Sequence, residues 1–343
     1  MSIVFLDVEN IRYVGQLNYH LLKYIPPILT ELRDDTISYC LDESMKSNNF
    51  ILSLNNQNYD NQFNFIQNND PQKAKINTLL FCNRPESIQY AMSLYKKEYI
   101  KGSSKLLFFH KNVSNQNGYI TVILNNYGNN DIFYTGGLGG PSEDEIFIGR
   151  KIFENYTNSA HQGFFSSKSL KWSFYIKNNT VLGGIIDFLP VDAESEYGIE
   201  VYFTYSKSDK IPPVFKDVNE ESYEYREVNE NIGIDNIFKT YNIRFGASKL
   251  LSNATGKLDG NYGVNHNYNL IFSNEGVYDI HFVPNGGAAG LSCLIDDVRY
   301  QLFSNSESKI VELVIDRPKI VQIQTFPLPG SNYPVTITVK MKR

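Results

Sequence analysis

Hydrophobic and polar residues alternate along most of the chain from residue 77 onward, which is the pattern of strands that bury one face. The apolar runs are short, and the residues between them are Gly, Asn, Ser and Pro, which favour turns. Only residues 89–99, QYAMSLYKKEY, favour a helix in this part. The pattern predicts a mainly β protein built from antiparallel β-sandwiches. The runs between 77 and 207 are NTLLFCN, KLLFFHKN, YITVILNN, LKWSFYIKNN, LGGIIDFLPV and GIEVYFTYSK.

The first 75 residues show a different pattern. SIVFLDVEN, YHLLKYIPPILTELR and DTISYCL predict a strand, a helix and a strand in a small mixed α/β segment, and an Asn-rich stretch follows them. A second hydrophilic stretch separates two groups of predicted strands. We therefore expect four regions, which are an N-terminal segment with an Asn-rich linker at 1–75, a sandwich at 76–210, a linker at 211–234 and a second sandwich at 235–343.

A short internal repeat connects the two predicted sandwiches. The pattern N-x-G-x-x-D-I occurs at 126–132 and again at 274–280, an offset of 148 residues (274 − 126). In both copies an alternating strand comes before the Asn and a glycine pair comes after the pattern. Because Asn and Gly adopt turn conformations at low cost, each copy predicts a hairpin with a glycine-rich exit, in two related modules. The predicted turn residues are Asn126, Gly128, Asp131, Gly136 and Gly137 in the first copy, and Asn274, Gly276, Asp279, Gly286 and Gly287 in the second.

In the segment TGGLGGPSEDEIFIG at 135–149, four glycines and a proline precede three consecutive carboxylates. It lacks the Lys and Ser/Thr of a phosphate-binding P-loop, and its acids would repel phosphate. Neighbouring residues of an extended segment point in opposite directions, which disfavours a pair of catalytic carboxylates. We predict a structural turn whose acids cap backbone N–H groups or contact a partner, with a calcium site as the alternative. The turn residues are Gly136, Gly137, Gly139, Gly140 and Pro141, and the acids are Glu143, Asp144 and Glu145.

Composition and charge exclude several classes of function. The chain has 37 acidic and 32 basic residues and a formal net charge of −5, so neutralisation of nucleic-acid phosphates is not expected. No stretch approaches the roughly 18 apolar residues of a membrane helix. The N-terminus also lacks the pattern of a secretory signal. We therefore expect synthesis in a cytoplasm and no partner among nucleic acids or membranes.

Residues with reactive side chains are few and scattered. The three cysteines, Cys40, Cys82 and Cys293, have neither disulfide nor zinc spacing, so buried free thiols are expected. The five histidines show no paired ligand spacing, and GLSC at 290–293 lacks the last glycine of a nucleophile elbow. We predict no catalytic residues, no metal site and no cofactor.

One alternative is a nuclease at the amino terminus. IVFLDVENIR at 3–12 resembles the opening strand of PIN-like metal-dependent ribonucleases, and the resemblance implies magnesium ligands at Asp7, Glu9 and Asn10. The later acids and βαβ units of those enzymes have no counterpart, because the chain becomes Asn-rich and then β-alternating. A strand end with solvated acids is therefore the favoured interpretation.

Several sequence blocks resemble an uncharacterised β-rich protein family of spore-forming, low-GC bacteria. The order of the blocks along the chain is the same as in that family. The resemblance implies a bacterial setting associated with the surface or the spore, and no catalytic residues. The blocks are NTLLFCNRPESI at 77–88, KLLFFHKN at 105–112, GGLGGPSEDEIFIG at 136–149, GNYGVNHNYNLIFSN at 260–274 and PNGGAAG at 284–290.

Unprotected strands near both ends of the sequence favour self-assembly. YPVTITVKMKR alternates through Val335, Ile337 and Val339 and carries basic residues only near its end. As an edge strand, it can add to the sheet of a second copy, as can SIVFLDV at 2–8. We therefore expect a non-enzymatic subunit of a spore or cell-surface layer, such as an appendage or filament, built as a homo-oligomer or larger assembly. A capsid, collar or tail protein of a virion and a module that binds a surface glycan are the alternatives.

Overall fold

The computed structural model describes residues 76–342, except 211, 213–219, 236–238, 248–249, 254–255 and 259. Strands dominate this part of the chain, and its one helix is α1 (Glu145–Thr157). The sheets pack as sandwiches, so the prediction of a mainly β protein is confirmed. The predicted α/β segment at 1–75, with Asp7, Glu9 and Asn10, lies outside the described residues.

The first sandwich is formed by sheets A and B. Sheet A has the spatial order β11, β1, β4, β9, β6, β7, with β2 beside β4, and sheet B has the order β3, β10, β5, β8. Strands β1 and β2 each run parallel to β4. The bounds are β1 Thr78–Cys82, β2 Ser87–Ile88, β3 Met92–Lys101, β4 Ser104–Asn112, β5 Gly118–Asn126, β6 Ile132–Ser142, β7 His161–Phe165, β8 Ser169–Ile176, β9 Val181–Pro190, β10 Glu196–Thr204 and β11 Ser222–Glu224.

Alternate residues of the two sheets form the core of the first sandwich. Ile120, Val122 and Leu124 of β5 are fully buried in it, as their alternation in the sequence requires. Strand β9 differs, because all of its residues are buried. Helix α1 packs on β6 and β9 and covers the outer face of sheet A. A strand that is covered on both faces has a nearly continuous apolar sequence, and LGGIIDFLP is such a run, which only Asp187 interrupts.

The second sandwich is formed by sheets C and D. Sheet C has the order β12, β16, β21, β18, β19, and sheet D has the order β13, β22, β17, β20. Strands β14 and β15 pair separately. The bounds are β12 Val228–Ile234, β13 Tyr241–Phe245, β14 Ser252–Asn253, β15 Gly256–Lys257, β16 His266–Phe272, β17 Gly276–Pro284, β18 Ala289–Ile295, β19 Val298–Ser304, β20 Ser308–Ile315, β21 Lys319–Thr325 and β22 Val335–Met341.

Eight strands of the second sandwich follow the jelly-roll order. When β13 and β16–β22 are counted from one to eight along the chain, sheet D contains strands 1, 8, 3 and 6, and sheet C contains strands 2, 7, 4 and 5. Five strands of the first sandwich repeat part of this pairing. In the first sandwich, β9 lies between β4 and β6, and β5 pairs with β8. In the second sandwich, β22 lies between β13 and β17 in the same way, and β16 pairs with β21. The common pairing supports two related modules.

The repeated Asn-Gly turns are not hairpins, which corrects the prediction. Strand β5 of sheet B leads into β6 of sheet A, and β16 of sheet C leads into β17 of sheet D. Each turn therefore carries the chain across the sandwich. The Asn126 side chain closes the first turn, since it accepts from the Gly128 N–H (3.0 Å) and donates to the Asn130 carbonyl (2.9 Å). Asn274 instead donates to the Asp235 carbonyl at 2.8 Å.

The remaining predicted turn residues occupy different positions in the two copies. Asp131 lies between β5 and β6, whereas Gly276 and Asp279 lie inside β17. Gly286 and Gly287 lie in the connection to β18, where Gly287 has a φ of +108°. An alternating pattern fixes which side chains share a face, but it is the same whether the next strand joins the same sheet or the opposite one.

The glycine-rich segment is a strand rather than a turn. Gly136, Gly137 and Gly139 lie within β6, where α1 and β9 approach closely. Gly140, with a φ of +100°, and Pro141 form an irregularity near the end of β6, where the register with β9 shifts between Gly139 and Ser142. The glycines are therefore explained mainly by close approach of backbones.

Three further predictions are wrong. Residues 92–101 form strand β3, not a helix, and two register shifts against β10 explain its broken alternation. Strand β22 is not an edge strand, because it lies between β13 and β17, and Val335, Ile337 and Val339 are fully buried. The predicted linker at 211–234 contains β11, which pairs β1 in the first sandwich, and β12, which pairs β16 in the second. The segment 2–8 lies outside the described residues.

Candidate functional site

Helix α1 begins at Glu145, the last of the three consecutive acids, and lies between the two sandwiches. Asp144 is its N-cap, since one carboxylate oxygen accepts from the Phe147 N–H at 2.9 Å, whereas Glu145 occupies the first turn and Glu143 precedes the cap. The cap satisfies a backbone donor that the helix itself leaves unpaired. Within the described residues, no group of three His, Cys, Asp or Glu side chains is arranged to hold a metal ion.

Close packing on both sides of α1 joins the sandwiches. On one side, Gly137 leaves room for the helix backbone at Tyr156. On the other side, the rings of Phe153 and Phe326 lie 5.0 Å apart, measured between their centroids. Arg299 of β19 donates to the Asn158 side chain at the end of α1 at 2.6 Å. The helix is thus a shared element of both modules.

A buried ion pair lies beneath this helix. Lys105 of β4 and Asp187 of β9 are 0% and 5% exposed, and their charged atoms are 3.6 Å apart. The Tyr156 hydroxyl from α1 donates to Asp187 Oδ2 at 2.6 Å and accepts from Lys105 Nζ at 2.9 Å. One helix residue therefore bridges both charges.

The second module completes the surroundings of the lysine. Lys105 Nζ donates to Asn265 Oδ1 at 3.3 Å and lies 5.1 Å above the Tyr225 ring. The Asn265 backbone N–H donates to the Tyr225 hydroxyl at 3.0 Å, and its side-chain amide donates to Glu227 at 3.0 Å. We call Lys105, Tyr156, Asp187, Tyr225 and Asn265 the Lys105 cluster. It connects sheet A, α1 and the segment that enters sheet C.

Burial determines the protonation chemistry of the Lys105 cluster. Burial raises the pKa of the Asp187 carboxyl above its ordinary value, although Lys105 and the Tyr156 hydroxyl act in the opposite direction. Burial also raises the pKa of Tyr156 and of Tyr225 well above the usual range, so both remain protonated. Since the lysine is sealed from solvent and hydrogen-bonded within the protein, the arrangement is suited to holding the modules in register.

A second reactive pair lies in the core of the first sandwich. Cys82 Sγ is 3.2 Å from His110 Nε2, and His110 Nδ1 is 2.8 Å from the Pro85 carbonyl oxygen. The carbonyl can only accept, so Nδ1 carries the hydrogen and Nε2 accepts from the thiol. Burial raises the pKa of Cys82 and lowers the pKa of His110 to about 4. A neutral thiol that is closed to solvent is a poor nucleophile.

We expect mild acid to destabilise the protein through its buried histidines. Burial lowers the pKa of both His110 and His266 to about 4. As the pH falls below about 6.5, the unfolded chain binds protons that the folded chain does not, so stability is lost between about pH 6.5 and pH 4. Each histidine then costs about 2 kcal/mol at pH 5. The contribution of Asp187 to the pH dependence has the opposite sign. Its pKa is raised in the folded protein, so its protonation stabilises the folded state as the pH falls.

Denaturant unfolding at pH 7 and pH 5 measures this loss. His110→Gln keeps a donor for the Pro85 carbonyl but does not titrate, so the loss between the two pH values should be smaller in this variant than in the wild type. An equal loss in both proteins would contradict the assignment to His110.

The residues of the Lys105 cluster were not predicted from the sequence. Asp187 is the one charged residue within the run LGGIIDFLP, and a carboxylate inside a doubly buried strand is a signal for a buried partner. The sequence around Lys105 carries no such signal. Lys105 is the first residue of the run KLLFFHKN, and a lysine at the start of a strand is normally solvated. The predicted acids Glu143, Asp144 and Glu145 lie at the start of the same helix but are not part of the cluster.

The described part of the chain contains no helix that is both long and apolar enough to cross a membrane. No family model matches the sequence, and no curated protein matches it.

Similarity to solved structures is weak. A β-glucosidase from Paenibacillus barengoltzii is similar over 38% of this chain, at 8% identity and a TM-score of 0.21. The similar region covers only 14% of the length of that enzyme. An anti-sigma factor domain-containing protein from Clostridium clariflavum matches 70% of this chain and 80% of its own, at 9% identity and a TM-score of 0.21. The tandem CBM22 domains of Xyn10C from Paenibacillus barcinonensis are similar over 69% of this chain and 82% of their own length, at 8% identity and a TM-score of 0.18. Values this low assign no function.

Proposed function

We propose that this chain is a non-catalytic structural subunit, which serves as a rigid block of two sandwiches in a spore or cell-surface layer. The placement of its reactive side chains carries the proposal. Within the described residues, two groups of reactive side chains are built into the interior: Lys105–Tyr156–Asp187, whose two charged residues are buried, and Cys82–His110, both of whose residues are fully buried. In these positions they hold elements of the fold together and are closed to a substrate.

The joint between the sandwiches supports the same proposal. A flexible linker would let the modules move independently, whereas here α1 packs on sheet A and also contacts β18 of sheet C. The Lys105 cluster adds charge-assisted hydrogen bonds, whose geometry permits little rotation. A subunit that must place its neighbours in a regular layer benefits from such a fixed joint.

The jelly-roll topology is consistent with more than one setting. It occurs in viral capsid proteins and in lectin domains, so a virion component is the alternative setting for the same structural role. Topology alone does not assign a function, because one fold hosts many.

Self-assembly of the full chain tests the proposal. We expect the sedimentation coefficient to rise with protein concentration and negative-stain images to show filaments, rings or sheets. Arg299→Ala removes the hydrogen bonds to Thr157 and Asn158 at the joint, and it should reduce assembly while the circular dichroism spectrum is retained. Arg317→Ala in the exposed β20–β21 turn is the matched control and should assemble normally. Monomers at every concentration would contradict a structural role.

A further inference from the structure

The outer face of sheet C carries a compact group of amide side chains. Three adjacent strands, β12, β16 and β21, contribute two outward amides each, and register places them in two rows across the sheet. Neighbouring strands are about 4.8 Å apart, so the six amides form a regular grid. We call this group the amide face, and its residues are Asn229, Asn231, Asn267, Asn269, Gln322 and Gln324.

The amide face is ordered by hydrogen bonds between its own side chains. Asn267 donates to Asn229 at 2.9 Å, and Asn269 donates to Asn231 at 2.8 Å. Each amide group has two donor hydrogens and an oxygen with two lone pairs, so one bond within a pair leaves most of that capacity for a ligand. Asn229, Asn231 and Gln322 are exposed, and the other three amides are half-buried. The grid is therefore both fixed in position and accessible.

The three strands place no charged side chain on this face, and the carboxylate that borders it is that of Asp296, which accepts from the Gln322 backbone N–H at 2.8 Å. The nine outward positions of the three strands are the six amides, Gly233, Ile271 and Ile320, and the two isoleucines are 38% and 56% exposed. The outer face of sheet D is different, because it carries ion pairs such as Lys309–Asp279 at 2.5 Å and Lys340–Glu307 at 3.1 Å. Charged side chains are the ordinary covering of a solvated sheet, so a neutral face on the same module requires its own explanation.

We propose that the amide face binds a neutral polysaccharide chain. Sugar hydroxyls donate and accept hydrogen bonds, as amides do, and they carry no charge that the face would have to neutralise. The exposed side chains of Ile271 and Ile320 offer a small apolar surface to the C–H faces of the rings. Nucleic acids and anionic lipids require Lys and Arg, which the face lacks. Protein partners are usually anchored by Trp, Tyr or Arg, which are also missing here.

This inference goes beyond a structural role and does not depend on assembly. A layer subunit and a monomer can both bind glycan through this face, so binding and assembly are measured separately on the same protein.

Affinity electrophoresis of the full chain tests the proposal. Native gels would contain hydroxyethyl cellulose, arabinoxylan or galactomannan as neutral polymers, with polygalacturonate as the charged comparison. Cellulose and chitin serve as insoluble probes in pull-down assays. We expect retention by at least one neutral polymer and none by polygalacturonate.

Variants locate the binding surface. Asn231→Ala with Gln322→Ala should weaken binding at least about tenfold, since two ligand-facing amides lose their hydrogen bonds. Asn242→Ala on the outer face of sheet D is the matched control, because this amide accepts from Thr338 at 3.0 Å and lies on the charged sheet. Tyr175→Ala removes a 45% exposed ring on sheet B, where a sugar can also stack. Both of these variants should bind normally.

The other outcomes overturn the proposal. Absence of retention by all the neutral polymers, with folded protein, would exclude a neutral polysaccharide of these classes. Binding that survives in the double variant, or that disappears in Tyr175→Ala, would place the glycan elsewhere. Self-association that the double variant abolishes, without any retention of the wild type by polymers, would make a second copy the occupant of the face.

Discussion

Lys105→Met alone should destabilise the protein by about 3–5 kcal/mol, because it leaves the Asp187 carboxylate buried with the Tyr156 hydroxyl as its remaining close donor. Asp187→Asn alone should cost a similar amount, since the Lys105 ammonium then lacks its counter-charge. Together, Lys105→Met and Asp187→Asn should cost clearly less than the sum of the single variants, because neither charge remains. Denaturant unfolding at pH 7 measures all three values.

An exposed ion pair provides the control for this cycle. Lys101 lies 3.5 Å from Glu196, and their side chains are 55% and 41% exposed. Lys101→Met should therefore cost less than about 1 kcal/mol. If the two single variants at the Lys105 cluster were additive, the charges would not be coupled, and the cluster would not hold the joint as inferred.

The second large effect is expected at Gly137. A Cβ atom on this residue would lie 2.2 Å from the Tyr156 backbone nitrogen and 2.4 Å from the Ile152 carbonyl oxygen. Backbone atoms of a helix cannot rotate away as a side chain can, so α1 has to shift. Gly137→Ala should cost about 3 kcal/mol or more. The shift would also move Tyr156 away from the Lys105 cluster.

Gly233→Ala on strand β12 is the matched control for Gly137. No atom lies within 4 Å of the Cβ that this substitution adds, and the residue has no positive φ. It should leave stability unchanged or raise it by up to about 1 kcal/mol, because alanine loses less conformational entropy in a strand. A loss of stability at Gly137 no larger than the change at Gly233 would show that α1 tolerates displacement.

Helix α1 could be predicted from local signals. Its buried positions, Ile148, Gly149, Ile152 and Phe153, repeat with helical spacing, and Asp144 is a favourable N-cap residue three positions before the N–H it binds. The glycines and proline before the helix indicated a turn, which concealed these signals. For β3, the reverse occurred, since two irregularities in its pairing broke the alternation and produced a false helical pattern.

The amide face of sheet C could be predicted only in part from the sequence. NENI at 229–232 and NYNLIF at 267–272 show alternate Asn residues, which indicates one polar face on each strand. That β12 runs parallel to β16, with each Asn beside its counterpart, follows from pairing across 38 residues (267 − 229). Such pairing is made by backbone groups that every residue carries, and it leaves no mark on the sequence.

The sequence by itself determined that the chain is mainly β, where most strands lie, which side chains share a face, and that the same Asn-Gly turn pattern occurs twice. Alternation with a period of two and the Asn-Gly turns encode these features locally. Only the tertiary structure decided that the repeated turns cross between sheets, that β22 is a central strand, and that Lys105 meets Asp187, 82 residues away (187 − 105), under α1. Neighbours in a sheet are chosen by backbone hydrogen bonds and by the packing of whole faces, and both depend on segments that are distant in sequence.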